Sequence, residues 1–584
     1  MVRRLPVLAL SLLAMSAPQD PPPAILRDYD VKDLVLKIAD RPVPTLGLVP
    51  TVGAESSFKP SWDTLFPMEQ LVEILNTSIP EFSDTSGILD QNHRRLSVSA
   101  TEEVHKKVQV QLKRLRCVYW EMTVEALVVD LGPRMLAEIL DGAGDSPALP
   151  DAKVARLRDL IRGGADAKLA HRFRIGLRPG QMGHGASVEE VPYVRDVDVE
   201  RAGQTPAAAI RSGTYMTGGT LEVRASVLEQ SVAFLDFRYA VSAPDQAAES
   251  VEIAPNLKIA LPSLRRQALA GFVPVMISRT AFAGSMPTPG KAGWDRAIFL
   301  RPQVESNLIH PEAPPDADLR LEFVDVRTLV SAPLGYVDDG WAGEDAESMV
   351  SKLKISHPDD WEEASGKYLH PQNGFLVARN DGPALRRFAA TLRDFVVARQ
   401  SPMRLDFALI ALSPEALGVT GGADALSSAE AAKLLDRAQA GEESQVLWRG
   451  SGSITRSSTL VLEDVVQRAI VEGCRAERDG LPDPTIGTAD WGVRLRASAG
   501  LDPVENAVSF HECRLEFSSI KEPIESAPAV SGAKVRMHLV RRAACRFERT
   551  PTARPGAWVA VGVSPLHDRA LVLLARAIPG RIWK

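Results

Sequence analysis

Apolar residues recur along this chain in two rhythms, three to four residues apart in some blocks and every second residue in others. The blocks come in the same order twice. Asp30-Val31-Lys32-Asp33-Leu34-Val35 returns as Asp325-Val326-Arg327-Thr328-Leu329-Val330. A helical stretch follows each: Met68 to Ser78 with Leu71 and Leu75 on one face, and Ala346 to Ile355 with Val350 and Leu353. Next come a proline (Pro80, Pro358), an aromatic residue (Phe82, Trp361) and a turn glycine (Gly87, Gly366). Arg95 to Ser99 then matches Gly374 to Ala378 as a short alternating strand. A second helix opens at Thr101, and at Asn380 or Asp381, residue types that cap free helical N–H groups. Its apolar stripe is Val104, Val108, Leu112 and Leu115 in one copy and Leu385, Phe388, Leu392 and Phe395 in the other. Each helix leads into an alternating strand, Val118 to Val129 and Arg404 to Leu412.

The match continues through a short helix, Ala152 to Arg162 against Ala429 to Ala440, into a β-rich region. There Leu221 to Ser226 pairs with Val493 to Ser498, and Phe234 to Phe237 with the run Val508 to Phe517. Glycine-led strands at Gly271 to Val275 and Gly556 to Ala560 end the match. The expected class is α+β: two tandem units, each a small α+β domain with helices on one face of a sheet, followed by a β-rich domain. The domain limits read as 24–135 and 146–310 for the first copy and 319–413 and 424–584 for the second. The stiff stretch Pro311-Glu312-Ala313-Pro314-Pro315 is the best boundary, with weaker ones at Gly142–Ala148 and Gly421–Ser428.

Composition narrows the function. The 584 residues are 45% hydrophobic and 24% charged, with 41 Gly, 42 Pro and four Cys, an ordinary globular balance. Residues 1–16 carry Arg3 and Arg4, an apolar run from Leu5 to Met15 and a small residue, Ser16, the three parts of a secretory signal cut near Ser16-Ala17. The run is too short to span a membrane, and no later stretch approaches spanning length. The mature protein is expected to be periplasmic or secreted. Without the two arginines, 66 basic residues face 74 acidic ones, a net charge of -8. That excludes a general pull toward nucleic acid.

Export permits a disulfide among Cys474, Cys513 and Cys545, or leaves three core thiols; Cys117, in an apolar strand-like run, reads as a small core residue. Candidate chemistry is thin. His357 stands beside Asp359 and Asp360, but the first copy has no histidine there, so a structural turn fits better. Asp196 and Asp198 share one strand face, which reads as a solvated edge rather than an acid–base pair. Strand alternation would let His511 and Cys513 share a face for a metal or nucleophile role, but a core cysteine beside a surface histidine is the better reading. Ser451 and Ser453 lack a nucleophile elbow and read as a turn into the next strand. Lys106, Lys107, Lys113, Arg114 and Arg116 form a solvated basic helix face. The acceptor pattern Asn76-Thr77-Ser78 falls inside a helix. No catalytic, cofactor-binding or metal-ligating residue is assigned, and no cofactor is expected.

Several of these residues resemble the ring-building N-domains of bacterial secretins, in the version found in exported planctomycete-type proteins. The carriers are Tyr29-Asp30-Val31-Lys32-Asp33-Leu34 and the later run of Leu96-Ser97-Val98, Thr101, His105 and Leu115-Arg116. Tyr193-Val194-Arg195-Asp196-Val197-Asp198-Val199 and Gly219 to Ala225 are similar to the soluble base of a secretin C-domain. The likeness covers most of 29–284 and, more faintly, 320–562. Gate segments with a Val-Pro-Gly turn and the amphipathic membrane strands of a full secretin have no clear equivalent, so no pore is expected. The resemblance implies a non-enzymatic exported scaffold or accessory of an envelope or secretion assembly. Its partners would be itself, in a ring or stack, and envelope or secretion-system proteins. The alternative is a monomeric ligand-binding module, glycan-binding for example, whose mark would be clustered aromatics among Trp341, Trp448, Trp491 and Trp558.

Overall fold

The structure, a computed structural model, describes residues 23–35, 43–48, 68–82, 87–90, 95–117, 121–141, 147–178, 181–202, 205–228, 231–254, 257–305, 319–326, 330, 345–362, 365–372, 374–413, 426–441, 444–456, 458–476, 482–502, 505–520, 525–528, 536–566 and 569–580. The expected signal at 1–16, the proline-rich connector and Trp341 lie outside them. The chain forms two compact units, one from residues 1–37 and 64–117 and one from 38–63 and 118–584.

In the first unit β1 (Ile25–Asp30), α1 (Met68–Ser78), β2 (Gly87–Asp90), β3 (Arg95–Ala100) and α2 (Glu102–Cys117) follow in order. The strands form an antiparallel sheet in the order β1-β3-β2. Alternation buries Leu96, Val98 and Ala100 of β3, and the stripe Val104, Val108, Leu112 and Leu115 of α2 is buried as its spacing requires. Cys117 is the last residue of α2 rather than part of a strand.

The second unit continues with β4 (Glu121–Leu131), α3 (Met135–Leu140), α4 (Asp151–Gly163), β5 (Ala167–Leu177), β6 (Met182–Ala202), β7 (Thr205–Leu228), β8 (Val232–Ala254), β9 (Leu257–Met276), β10 (Ala281–Pro287) and β11 (Asp295–Glu305). A second α+β element follows: β12 (Arg320–Asp325), α5 (Ala346–Ser356), β13 (Tyr368–Gln372), β14 (Phe375–Asn380) and α6 (Gly382–Gln400). Asp381 caps α6 by accepting from the Ala384 N–H at 2.9 Å. Then come β15 (Pro402–Leu412), α7 (Ser428–Ala440), β16 (Ser444–Thr455), β17 (Leu460–Ala476), β18 (Pro482–Asp502), β19 (Ala507–Ile520), β20 (Glu525–Pro528), β21 (Arg536–Leu539), β22 (Arg542–Glu548), β23 (Thr552–Ala553), β24 (Trp558–Leu566) and β25 (Arg569–Pro579). The class is α+β, dominated by antiparallel strands.

Two large sheets are each built from both halves of the chain. One has eight strands, β24-β25-β15-β16-β10-β11-β4-β5; the other has nine, β22-β19-β18-β17-β9-β8-β7-β6 with β23 also paired to β19. Their facing sides enclose one apolar core, with Val124, Ala126, Phe407 and Leu573 from the first sheet and Leu221, Val223, Leu495 and Leu515 from the second. On the outer side of the eight-stranded sheet α3 and α4 pack on Val129, Leu131 and Phe299, and α7 packs on Ile410, Val572 and Leu574. The second α+β element shares its core with Phe234 and Phe272 of β8 and β9.

Irregularities of the backbone fix which positions correspond between the halves. The β4·β5 ladder breaks between Val128 and Val129, and β15·β16 breaks between Leu409 and Ile410. The β10·β11 ladder breaks between Phe282 and Gly284, and β24·β25 between Ala560 and Gly562. Gly218 and Gly492 both have positive φ, where a Cβ would strike the carbonyl of the strand opposite, Ser187 or Asp464. This last pair sets Leu221 level with Leu495, not with Val493. The sequence match was off by two residues, which period-two alternation cannot detect because it leaves the same side chains facing the core. The glycine-led strands were also mismatched: Gly271 lies in β9 of the nine-stranded sheet, whereas Trp558 to Ala560 lie in β24 of the other.

Candidate functional site

The seam where the halves meet is the most distinctive place in the second unit. In one sheet β17 pairs with β9 from Val461↔Ala270 to Arg468↔Ser263. In the other, β16 meets β10 at Gly452↔Gly284 and Ser451↔Ser285. Small residues let the backbones close here. A Cβ on Gly284 would lie 2.6 Å from the Ser451 carbonyl oxygen, and one on Gly271 would lie 2.7 Å from that of Ser453. The hydroxyls of Ser285 and Ser451 share a hydrogen bond of 2.8 Å, and Ser453 Oγ donates to the Phe282 carbonyl at 2.9 Å.

Ion pairs bridge the same seam. Arg265 holds Asp464 through two bonds of 2.8 Å, which raises the guanidinium pKa. Arg449 holds Asp295 at 3.0 and 2.8 Å; burial pushes that carboxyl up and Arg449 opposes the rise. Arg468 donates to Glu249 at 2.7 Å, and Gln467 Oε1 accepts the Leu48 N–H at 3.3 Å.

Over the seam on the helix-bearing side lies a cleft of about 720 Å³ bordered by α3 of one half and α7 of the other. Ser285, Ser451, Asp295 and Arg449 lie along it, with Asp406 held between Arg404 at 3.1 Å and Arg576 at 2.6 Å. Trp558 sits against the Arg576 guanidinium, 4.7 Å from ring centroid to carbon. Guanidinium and carboxylate groups balance here, so the cleft presents paired charges and no concentrated field of one sign.

The residues singled out in the sequence do not converge on it as a catalytic set. Ser451 and Ser453 lie inside β16, not in a turn, and are buried at the seam. His511 and Cys513 do not share a face: the β18·β19 ladder breaks between Ser498 and Ala499, passing over His511. The break leaves His511 exposed while Cys513 is buried, its thiol pushed up to about 12. Cys513 and Cys545 are both free thiols. The backbones of Asp196 and Asp198 are in β6, and their side chains, with that of Cys474, lie outside the described residues. His357 bonds Thr391 Oγ1 at 2.9 Å, ending α5 against α6. In the first unit Lys107 pairs with Glu81 at 2.7 Å and Arg116 with Asp33 at 2.6 Å. Asn76-Thr77-Ser78 is helical in α1. Trp448 is buried in the core between the sheets, Trp558 packs on the opposite face of its sheet, and Trp491 belongs to the other sheet.

The seam itself escaped the sequence reading. Its one visible signal was Gly450-Ser451-Gly452-Ser453, a strand of small residues that marks a close backbone approach.

No protein family and no curated protein matches the chain. Solved structures do resemble it. They include the secretin-domain β-barrel of InvG from the Salmonella SPI-1 injectisome, at 11% identity over 45% of this chain and 88% of that one, with a TM-score of 0.24. The type II secretin GspD of enteropathogenic Escherichia coli is similar at 14% identity, 42% and 86% coverage and a TM-score of 0.22. Aeromonas hydrophila ExeD is similar at 9% identity, 96% and 91% coverage and a TM-score of 0.20.

Proposed function

We propose that this protein is an exported, non-enzymatic scaffold or accessory of an envelope or secretion assembly, acting through protein–protein contacts. One observation carries the reading. Each large sheet ends on both sides in a strand with no described neighbour beyond it: β5 and β24 in one, β6 and β22 in the other. Unpaired edges offer rows of backbone donors and acceptors, the groups through which strands add to one another. The leader-like residues 1–16 and the secretin-like motifs support export and an envelope setting. Among the described residues Trp448 and Trp558 lie on opposite faces of one sheet and Trp491 belongs to the other, which does not favour an aromatic platform for a glycan.

The test is the mass of residues 17–584 by light scattering over a concentration series, together with capture of envelope proteins from the native extract. A discrete oligomer, or a stable complex with an envelope protein, is expected. A monomer at every concentration that retains no envelope protein overturns the reading.

A further inference from the structure

Resting on that reading, we infer that the internal seam is a template for docking a second copy of the chain. Head to tail, β22 of one copy pairs with β6 of the next, and β24 with β5, in the registers that β9·β17 and β10·β16 use within the chain. Each chain then supplies two equivalent positions of the assembly, one seam covalently closed and the next formed between molecules.

The correspondence of strands makes the edges complementary. The matched ladder breaks set β5 level with β16, and β10 with β24. Gly218 and Gly492 set β6 level with β17. A separate contact sets β9 level with β22: a Cβ on Gly284 would meet Leu269 Cδ1 at 2.6 Å, and one on Gly562 would meet Phe547 Cδ1 at 2.9 Å. The seam strands β16, β17, β9 and β10 thus have as their counterparts the four strands left at the edges, β5, β6, β22 and β24. This is the head-to-tail relation, in which one surface meets a different one and the contact can repeat.

Carrying the seam registers across places Glu190 opposite Arg542 of the next copy, Ala186 opposite Arg546, and Arg174 opposite Val563. The charges agree with this placement. Glu189 and Glu190 are exposed on the β6 edge, and Arg542 is exposed on the other, where Arg546, opposite Ala186, already pairs with Glu548 at 2.6 Å. The Arg542 side chain is 47% exposed, with Ser518 Oγ at 3.2 Å and Asp490 at 3.8 Å, so it can reach a further carboxylate. Neither 184–191 nor 542–548 contains proline, which would block pairing. Val188, 39% exposed in the middle of the β6 stretch, gains cover on docking.

Glu190→Arg and Arg542→Glu, two surface changes in the full mature chain, test the register. Each alone should weaken self-association at least about tenfold, since like charges then meet at every joint. An equimolar mixture should recover assembly, because each joint again pairs Arg with Glu in strict alternation. The double variant should recover it alone. Matching thermal melts establish that the variants fold. Sedimentation velocity reads the outcome. Variants that assemble as the unaltered chain does, or a mixture that stays dissociated, overturn the register while self-association stands. An unaltered chain that is monomeric yet captures an envelope protein overturns this inference and leaves the scaffold reading in place.

Discussion

Leu460 fills the space that a side chain on Gly452 would need, and the corresponding positions of the first half are filled the other way round, with Ile175 over Gly183. The neighbouring pair repeats the exchange: Phe173 lies over Gly185, and Leu462 over Gly450. Each half therefore keeps one large and one absent side chain at the same place in the core, on opposite strands. A methyl group added at Gly452 meets a filled space. Gly452→Ala should cost about 1–3 kcal/mol by overpacking. Adding Leu460→Ala should cost less than the sum of the two single changes, because the cavity admits the methyl. Urea unfolding of the four proteins of the cycle measures both; additive costs would show that the two positions do not share space.

In the first unit Tyr29 and His105, two of the residues that carry the secretin resemblance, hold each other. His105 Nε2 lies 2.7 Å from the Ile25 carbonyl, which only accepts, so the proton is on Nε2. Nδ1 is then the acceptor for the Tyr29 hydroxyl at 2.8 Å. His105 is fully buried. Tyr29→Phe should leave a buried ring nitrogen without a donor and cost about 1–3 kcal/mol. Thermal unfolding monitored on the first unit checks this, and an unchanged midpoint would assign the pair no structural weight.

At the seam Arg265 and Asp464 form a two-bond ion pair whose carboxylate side is nearly buried and whose guanidinium is 30% exposed. Partial exposure lets water screen the arginine, so the loss on breaking the pair is moderated. Asp464→Ala should cost about 1–3 kcal/mol. Because the two residues belong to opposite halves, the variant should also admit proteases between them. Limited proteolysis that cuts it no faster than the unaltered chain would count against a fastening role.

How much of this was legible differs by feature. Val104, Val108, Leu112 and Leu115 announced α2 because helical spacing and burial agree there. Asp381 announced its helix because a cap is a local matter. The twofold order of elements was visible for the same reason, since each element carries its own period. The seam was not. Pairing of β9 with β17 joins residues about two hundred positions apart, and no local rhythm records which strand lies next to which. His511 is exposed and Cys513 buried as their residue types suggest. The turn of the two onto different faces was not legible, because one residue passed over in a ladder reverses every later face and a bulge leaves no mark on hydropathy.

Acid should act on the buried Glu222 and the half-buried His171 in opposite senses. Burial raises the Glu222 pKa above its ordinary 4.5, and Arg238, 3.7 Å away, offsets this only in part. A carboxyl with a raised folded pKa binds its proton more tightly in the folded chain. Its ionisation therefore costs stability above that raised value, and the cost fades as pH falls toward 4.5. Burial lowers the His171 pKa below 6.5, and nearby Arg296 lowers it further. There the unfolded chain takes the proton first, so stability falls as pH drops from 6.5 through the lowered folded value. Glu222→Gln should accordingly raise the melting temperature at pH 7, with the gain shrinking toward pH 4. His171→Phe should flatten the loss below pH 6.5 and leave neutral stability nearly unchanged, since the ring contacts with Phe173 and Tyr239 suit an aromatic side chain. Melting curves from pH 4 to 8 separate the two. A gain for Glu222→Gln that is the same at every pH would mean that the carboxyl's charge is not what destabilises the fold, and that its packing decides the effect.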